Sequence, residues 1–242
     1  MSIDVSLVIP AYNEEGYIGP CLDSVLLNAA GKFKEIIVVD NASTDGTAAS
    51  AAARPGVRVV SEPQKGLSHA RQRGLTEVTS EYIAFIDADE RMPAGWYEKM
   101  ETYLCAHPQA ACLSGPVHYY DASPFFNFVT TIAQWLAFPF AHVTAGYVLL
   151  GGNFVAKRQA IIDAGGFDTN IPFYGEDANI GHRLAKKNPT LLRMNFVIET
   201  SARRLKHEGL LKVYVRYSIN TLSQAFFRVS PSKAYKDVRM PK

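Results

Sequence analysis

Four short hydrophobic runs, rich in β-branched and aromatic residues, punctuate the first part of the chain. They are VSLVI at 5–9, EIIVV at 35–39, VRVV at 57–60 and YIAFI at 82–86. Their length and composition predict buried strands. Helical patterns lie between them. Ile18, Leu22, Val25 and Leu26 recur at helical spacing, good helix formers fill 48–53 after the STDGT turn, and Ser68 is placed to cap a helix through Leu75. A β-α-β-α-β-α-β order implies a mostly parallel sheet flanked by helices on both faces. The 242 residues suit one such α/β domain and can bury a sizeable core. A chain 48% hydrophobic and 20% charged is globular, not disordered.

Cysteine use and charge narrow the function classes. Cys21, Cys105 and Cys112 are odd in number and lack CxxC spacing, which argues against a disulfide scaffold or a zinc ribbon. The residues after Met1 show no secretory signal, so a cytoplasmic setting is expected. Net charge is +2, but residues 201–242 carry ten Lys/Arg against two Asp/Glu. A basic tail on an acidic body suggests an anionic partner, such as phospholipid headgroups or a phosphorylated substrate. No nucleic-acid motif accompanies it. Residues 122–156 contain no charged side chain, yet Asn127, Gln134, Pro139, His142 and Gly151 interrupt the run, so it reads as core plus an apolar surface or lid. From 210 to 227 a helical pattern returns, with Lys212, Arg216, Asn220 and Ser223 on one face. It fits a buried helix or one lying on a membrane surface.

In a parallel α/β sheet, ligands bind at the carboxyl ends of the strands. Two of the predicted strands end in carboxylates: Asp40 follows EIIVV, and Asp87-Ala88-Asp89 follows YIAF-Ile86. The first strand runs into PAYNEE, with neither the dinucleotide nor the P-loop glycine pattern. Without a glycine cradle, a divalent cation gripped by carboxylates can do the job of holding a diphosphate. Alone, the D-x-D dyad is equally a strand-end capping feature.

The ordered set is more specific: VSLVIPAYNEE, VVDNASTDGT, QKGLSHARQRGL, FIDADE, then GGNFVAKRQAIIDAGGFD and YGEDANIGHRL. Over about residues 3 to 185 the chain resembles the family 2 glycosyltransferases, whose A-type fold is a single Rossmann-like nucleotide-diphospho-sugar transferase domain. The resemblance implies a nucleotide-binding half at 1–105, an acceptor-binding half of the same domain at 106–209, and a basic helical C-terminal extension at 210–242.

By the same resemblance, Pro10, Tyr12 and Glu14 lie against base and ribose, and Asp40 bonds the base. Tyr12 has core packing as its alternative. Lys65, Gly66 and Arg71 approach the base or diphosphate, with a surface salt bridge as the alternative for Arg71. Asp87, Ala88 and Asp89 form the metal motif, Asp89 as direct ligand and Asp87 on ribose or metal-bound water. His207 is a candidate third ligand for Mn²⁺ or Mg²⁺, and Arg203 and Arg204 are candidate phosphate holders. Gly152 and Asn153 belong to the stretch closing over the donor sugar. Asp177 is the expected catalytic base, with Glu176 second, and Arg183 packs or pairs with this acidic site. The turn at Gly165 and Gly166 is architecture.

The implied function is an inverting, metal-dependent glycosyltransferase moving a sugar from a nucleotide-diphospho-sugar to a hydroxyl acceptor. The apolar run and basic tail point toward a lipid-linked or cell-envelope acceptor and a peripheral position on the inner face of a membrane. The competing readings are a nucleotidyl- or phosphoryl-transfer enzyme and a non-catalytic nucleotide-sugar-binding module.

Overall fold

A computed structural model describes residues 3–29, 31–171 and 175–209. The four predicted strands form as β1 (Val5–Ala11), β2 (Ile36–Asp40), β3 (Val57–Ser61) and β4 (Tyr82–Phe85). Alternating with them are α1 (Glu15–Ala29), α2 (Thr47–Ala52) and α3 (Leu67–Glu77). The strands pair in parallel in the order β3-β2-β1-β4, with Leu7 opposite Ile36 and Val5 opposite Tyr82. β1 is buried along its whole length because both its faces are covered. Leu7 and Ile9 join Ile18, Leu22 and Val25 of α1 in one cluster. Val8 joins Ala70 and Leu75 of α3 in the other. Each such aliphatic side chain contributes about 1.5–3 kcal/mol on burial.

The second half supplies β5 (Glu90–Arg91), α4 (Trp96–Ala106), β6 (Cys112–Ser114), β7 (Val117–Tyr119), α5 (Pro124–Ala145) and β8 (Phe154–Lys157). Then follow α6 (Arg158–Asp163), α7 (Glu176–Ala185), β9 (Thr190–Leu192), β10 (Ile198–Thr200) and α8 (Arg203–Glu208). β8 lies antiparallel between β4 and β6, and β9 runs parallel to β6. The central sheet is therefore one mostly parallel array, β3-β2-β1-β4-β8-β6-β9, continuous through both halves of the chain. A small second sheet, β5-β10-β7, stands beside the end of β4. The extension from 210 onward lies outside the described residues.

One local expectation changes. Ser68 does not cap α3. Gly66 precedes the helix, and the buried Ser68 hydroxyl donates to the Ile171 carbonyl at 2.7 Å. The charge-free run divides as expected into an apolar surface and a stretch of core: most of it is one helix, α5, with exposed apolar side chains, and Leu149, Phe154, Val155 and Ala156 are buried. Ser123 caps its start by accepting from Phe126 N, and left-handed Gly146 ends it. Only Thr130 and Gln134 of α5 are buried. Asn127 and Gln134, two turns apart, each pair their carboxamide with β7. Gln134 accepts from Val117 N at 2.9 Å and donates to its carbonyl at 3.0 Å. Asn127 does the same at Tyr119, at 3.0 and 2.8 Å.

Candidate active site

Parallel strands bring their carboxyl ends to one rim, so the segments after β1, β2 and β4 meet there. β1 carries buried Pro10 and leads to Tyr12 and Glu14, both nearly buried. Lys65 reaches over Tyr12, its Nζ 2.6 Å from the phenol oxygen and 3.8 Å from the ring centroid. Asn41, buried just past β2, fixes the loop that carries Lys65. Its Oδ1 accepts from Gly66 N at 2.7 Å, and its Nδ2 donates to the carbonyls of Glu62 and Gln64. Gly66 holds φ at +149°, a conformation that favours glycine. Asp40 ends β2 with a buried Oδ1 that has no hydrogen-bond partner among the described residues.

Two arginines organise the acidic groups. Arg71 of α3 is fully buried and spans Asp87, at 3.1 Å, and Glu176 at the start of α7. It is neither a surface salt bridge nor a solvent-facing phosphate hook. Burial opposes its charge, but Glu176, Asp87 and Asp177 outweigh that and raise its pKa. Arg203, opening α8, donates to Glu14 from both Nη atoms, at 2.7 and 2.5 Å, and its Nε lies 2.9 Å from Asp89 Oδ2. Its guanidinium also stacks over Tyr17 at 4.2 Å. The structure thus sets Arg203 against two expected ligand-binding carboxylates, where the sequence reading made it a phosphate holder.

Glu176 and Asp177 occupy the first turn of α7, after left-handed Gly175. Burial, then the charge of Asp177, raises the Glu176 pKa despite Arg71. Burial also raises that of Asp177, again against Arg71. Asp177 is partly exposed and accepts from Ala178 N at 2.7 Å and Gly151 N at 3.3 Å. Glu176 is buried and tied to Arg71, so of the pair Asp177 is the carboxylate that reaches solvent.

Glu90 is a residue the motif reading left without a role. It is buried, its Oε2 accepts from Asp87 N at 2.8 Å, and burial followed by the Asp87 charge pushes its pKa well above the usual range. It shapes the turn that presents Asp87, Ala88 and Asp89. A Cβ at Gly152 would meet the Glu90 carboxylate, so a side chain there would have to displace Glu90. The acid directly after D-A-D was the available signal.

Three expectations need correction. Asn153 is fully buried. Its amide is consumed by Trp96 Nε1 at 3.0 Å and the carbonyls of Pro116 and Phe196, so it ties core segments together and has no group left for a sugar. Arg183 donates to the carbonyls of Ala164 and Gly166 and to Asn179, holding the glycine turn and not the acidic pair. His207 is exposed on α8, and among the described residues no three His, Cys, Asp or Glu side chains gather as a metal site. Asp87 and Asp89 still suit a hard cation that shares its other positions with phosphate and water. Asp89 is mostly buried, burial raises its pKa, and its carboxylate already holds a cationic partner in Arg203.

The comparisons agree with this fold. An uncharacterized glycosyltransferase of Mycobacterium bovis is 41% identical over 100 residues, covering 41% of this chain and 43% of that protein. The chain spans less than half the length of the curated relatives it matches. In fold it is similar to glucosyl-3-phosphoglycerate synthase from Mycobacterium tuberculosis in complex with Mn²⁺, UDP and phosphoglyceric acid. The TM-score there is 0.65 at 24% identity, over 92% of this chain and 78% of that one. A mannosyltransferase from Pyrobaculum calidifontis in complex with GDP-Man and Mn²⁺ gives 0.68 at 22% identity, over 94% and 64%. Residues 6–162 match the family model for glycosyl transferase family 2, and the chain belongs to that family.

Proposed function

We propose that this chain is an inverting glycosyltransferase that moves a sugar from a nucleotide-diphospho-sugar to a hydroxyl acceptor. The observation that carries the reading is the convergence at one rim of Asp40, Asp87, Asp89 and Asp177, with an orphaned carboxylate oxygen on Asp40. That oxygen suits a ring N–H or a ribose hydroxyl, and Tyr12 with Lys65 flanks the same strand end. Asp87 and Asp89 would hold a Mn²⁺ or Mg²⁺ ion, which neutralises the diphosphate leaving group when bound. The solved relatives bound to Mn²⁺ with UDP or GDP-Man support that part of the reading.

Inversion needs a base on the acceptor hydroxyl, on the side of the sugar opposite the leaving nucleotide. Asp177 takes that proton at a carboxylate oxygen. Its burial-raised pKa brings it nearer the range where a base works at neutral pH. Arg71 keeps Glu176 in place beside it. The charge-free run and basic tail favour an acceptor presented at an anionic membrane surface, as a lipid-linked or cell-envelope glycan would be.

The test is calorimetric titration of UDP, GDP, dTDP and ADP, each with Mn²⁺ and with EDTA. Metal-dependent binding of one diphosphate, kept in Asp177→Asn while transfer is lost, is the expected result. Full turnover by Asp177→Asn would remove the base assignment. Failure of every diphosphate to bind would favour a non-catalytic module.

A further inference from the structure

α5 is built inside out. Among the described residues ten large hydrophobic side chains are exposed, and eight of them lie on this one helix. They include Phe125, Phe128, Trp135, Leu136, Phe140 and Val143. Its fully buried residues are instead polar, Thr130 and Gln134, and Asn127 also bonds to β7 beside the half-buried Phe126. A helix of a water-facing surface shows the reverse arrangement. Its 22 residues extend about 33 Å and carry no charge. Exposed apolar area of this extent marks a binding surface.

We propose that the outer face of α5 docks on an anionic lipid bilayer, with Phe128, Trp135 and Leu136 entering the headgroup–acyl boundary. Two observations choose lipid as the occupant. Residues 210–242 contain seven Lys/Arg against one acidic residue, Asp237, a net excess of six positive charges that complements anionic headgroups. The run 122–156 also lacks the charged residues of an ordinary interface rim, and aromatic side chains suit the membrane boundary. No helix among the described residues is long and apolar enough to cross a membrane, so α5 lies along the surface.

The docking face connects to the acidic rim through one strand. β7, which α5 grips, continues into Tyr120, whose hydroxyl donates to the Asp89 carbonyl at 3.4 Å. Docking on α5 therefore sets the rim beside the lipid surface. Only this last consequence, delivery of a lipid-borne acceptor, rests on the proposed function.

The chain has two tryptophans, Trp96 buried and Trp135 exposed, so a change in tryptophan emission on docking reports Trp135. The full chain is titrated with phosphatidylcholine vesicles and with vesicles containing phosphatidylglycerol, at low and high salt, and sedimented with each. The expected result is a blue shift and co-sedimentation on the anionic vesicles, weakened by salt. Phe128→Glu with Leu136→Glu, and separately Val143→Glu at the most exposed of the three positions, lower vesicle affinity about tenfold or more with unchanged circular dichroism. Binding unaffected by these substitutions, equal binding to neutral vesicles, or a lipid-free dimer that buries Trp135 would each overturn the proposal. No sugar transfer is read, so a wrong donor assignment leaves the result standing.

Discussion

Arg203 places its Nε 2.9 Å from Asp89 Oδ2 while both its Nη atoms hold Glu14. One guanidinium thus neutralises two carboxylates, on segments following different strands. A divalent ion held by Asp89 would share that carboxylate with Arg203. Arg203→Gln leaves the nearly buried Glu14 and Asp89 without their cation and lowers stability by about 2 kcal/mol in EDTA. The variant then gains more thermal stability from Mn²⁺ with nucleotide than the unaltered protein does. Equal gains in a melting experiment would show that Arg203 and the ion do not compete.

Arg71 is the more buried of the two clamps, 0% exposed between Asp87 and Glu176. Truncation to Ala strands both carboxylates and costs about 3–5 kcal/mol. Lysine is no substitute, because a point charge on a flexible stem cannot span two acids as a planar fork does. Urea denaturation of Arg71→Lys is expected to lie between the unaltered protein and Arg71→Ala. A lysine variant as stable as the original would refute the bidentate role.

Gln134, 4% exposed, carries both hydrogen bonds of the Val117 peptide groups. Gln134→Leu is nearly isosteric but leaves an N–H and a C=O unpaired, a loss of about 2–4 kcal/mol. Equilibrium unfolding reads it directly, and an unchanged midpoint would mean that water replaces the carboxamide.

His142, in the last turn of α5, has its pKa lowered by partial burial and then by Arg193, and its Nδ1 is without a partner among the described residues. The folded protein binds this proton less readily than the unfolded chain. Stability from this group is therefore full above the ordinary histidine value, about 6.5, and is lost as pH falls through the window below it. His142→Gln should flatten that part of the stability–pH curve. A slope unchanged in the variant would assign it to another group.

The nucleotide-side strands were legible because each is a compact hydrophobic run whose end is marked chemically. The run at 35–39 appears as β2 shifted by one residue, and Asp40 closes it. The later strands were not, since β8 finds its partner β4 some seventy positions back in the chain, and no local pattern encodes that antiparallel insertion. Asn153 misled for a related reason. A glycine-flanked asparagine looks like a ligand contact, while its partners Trp96, Pro116 and Phe196 come from scattered segments. The charge-free run was visible as composition, but its helix faces depend on β7 offering Val117 and Tyr119 as partners. The pairing of Arg203 with Glu14, 189 positions apart, lies beyond any sequence window.

β7 is an edge strand of its small sheet. Its inner side pairs with β10, and the peptide groups of Val117 and Tyr119 face outward to the carboxamides of α5. Those two side chains stand in for a missing neighbouring strand. Unpaired strand borders are templates for runaway self-association, and this one is capped by the same helix that exposes the stickiest surface of the protein. The chain can therefore present a broad greasy face without also offering a β-template beside it, which favours reversible adhesion over fibre growth.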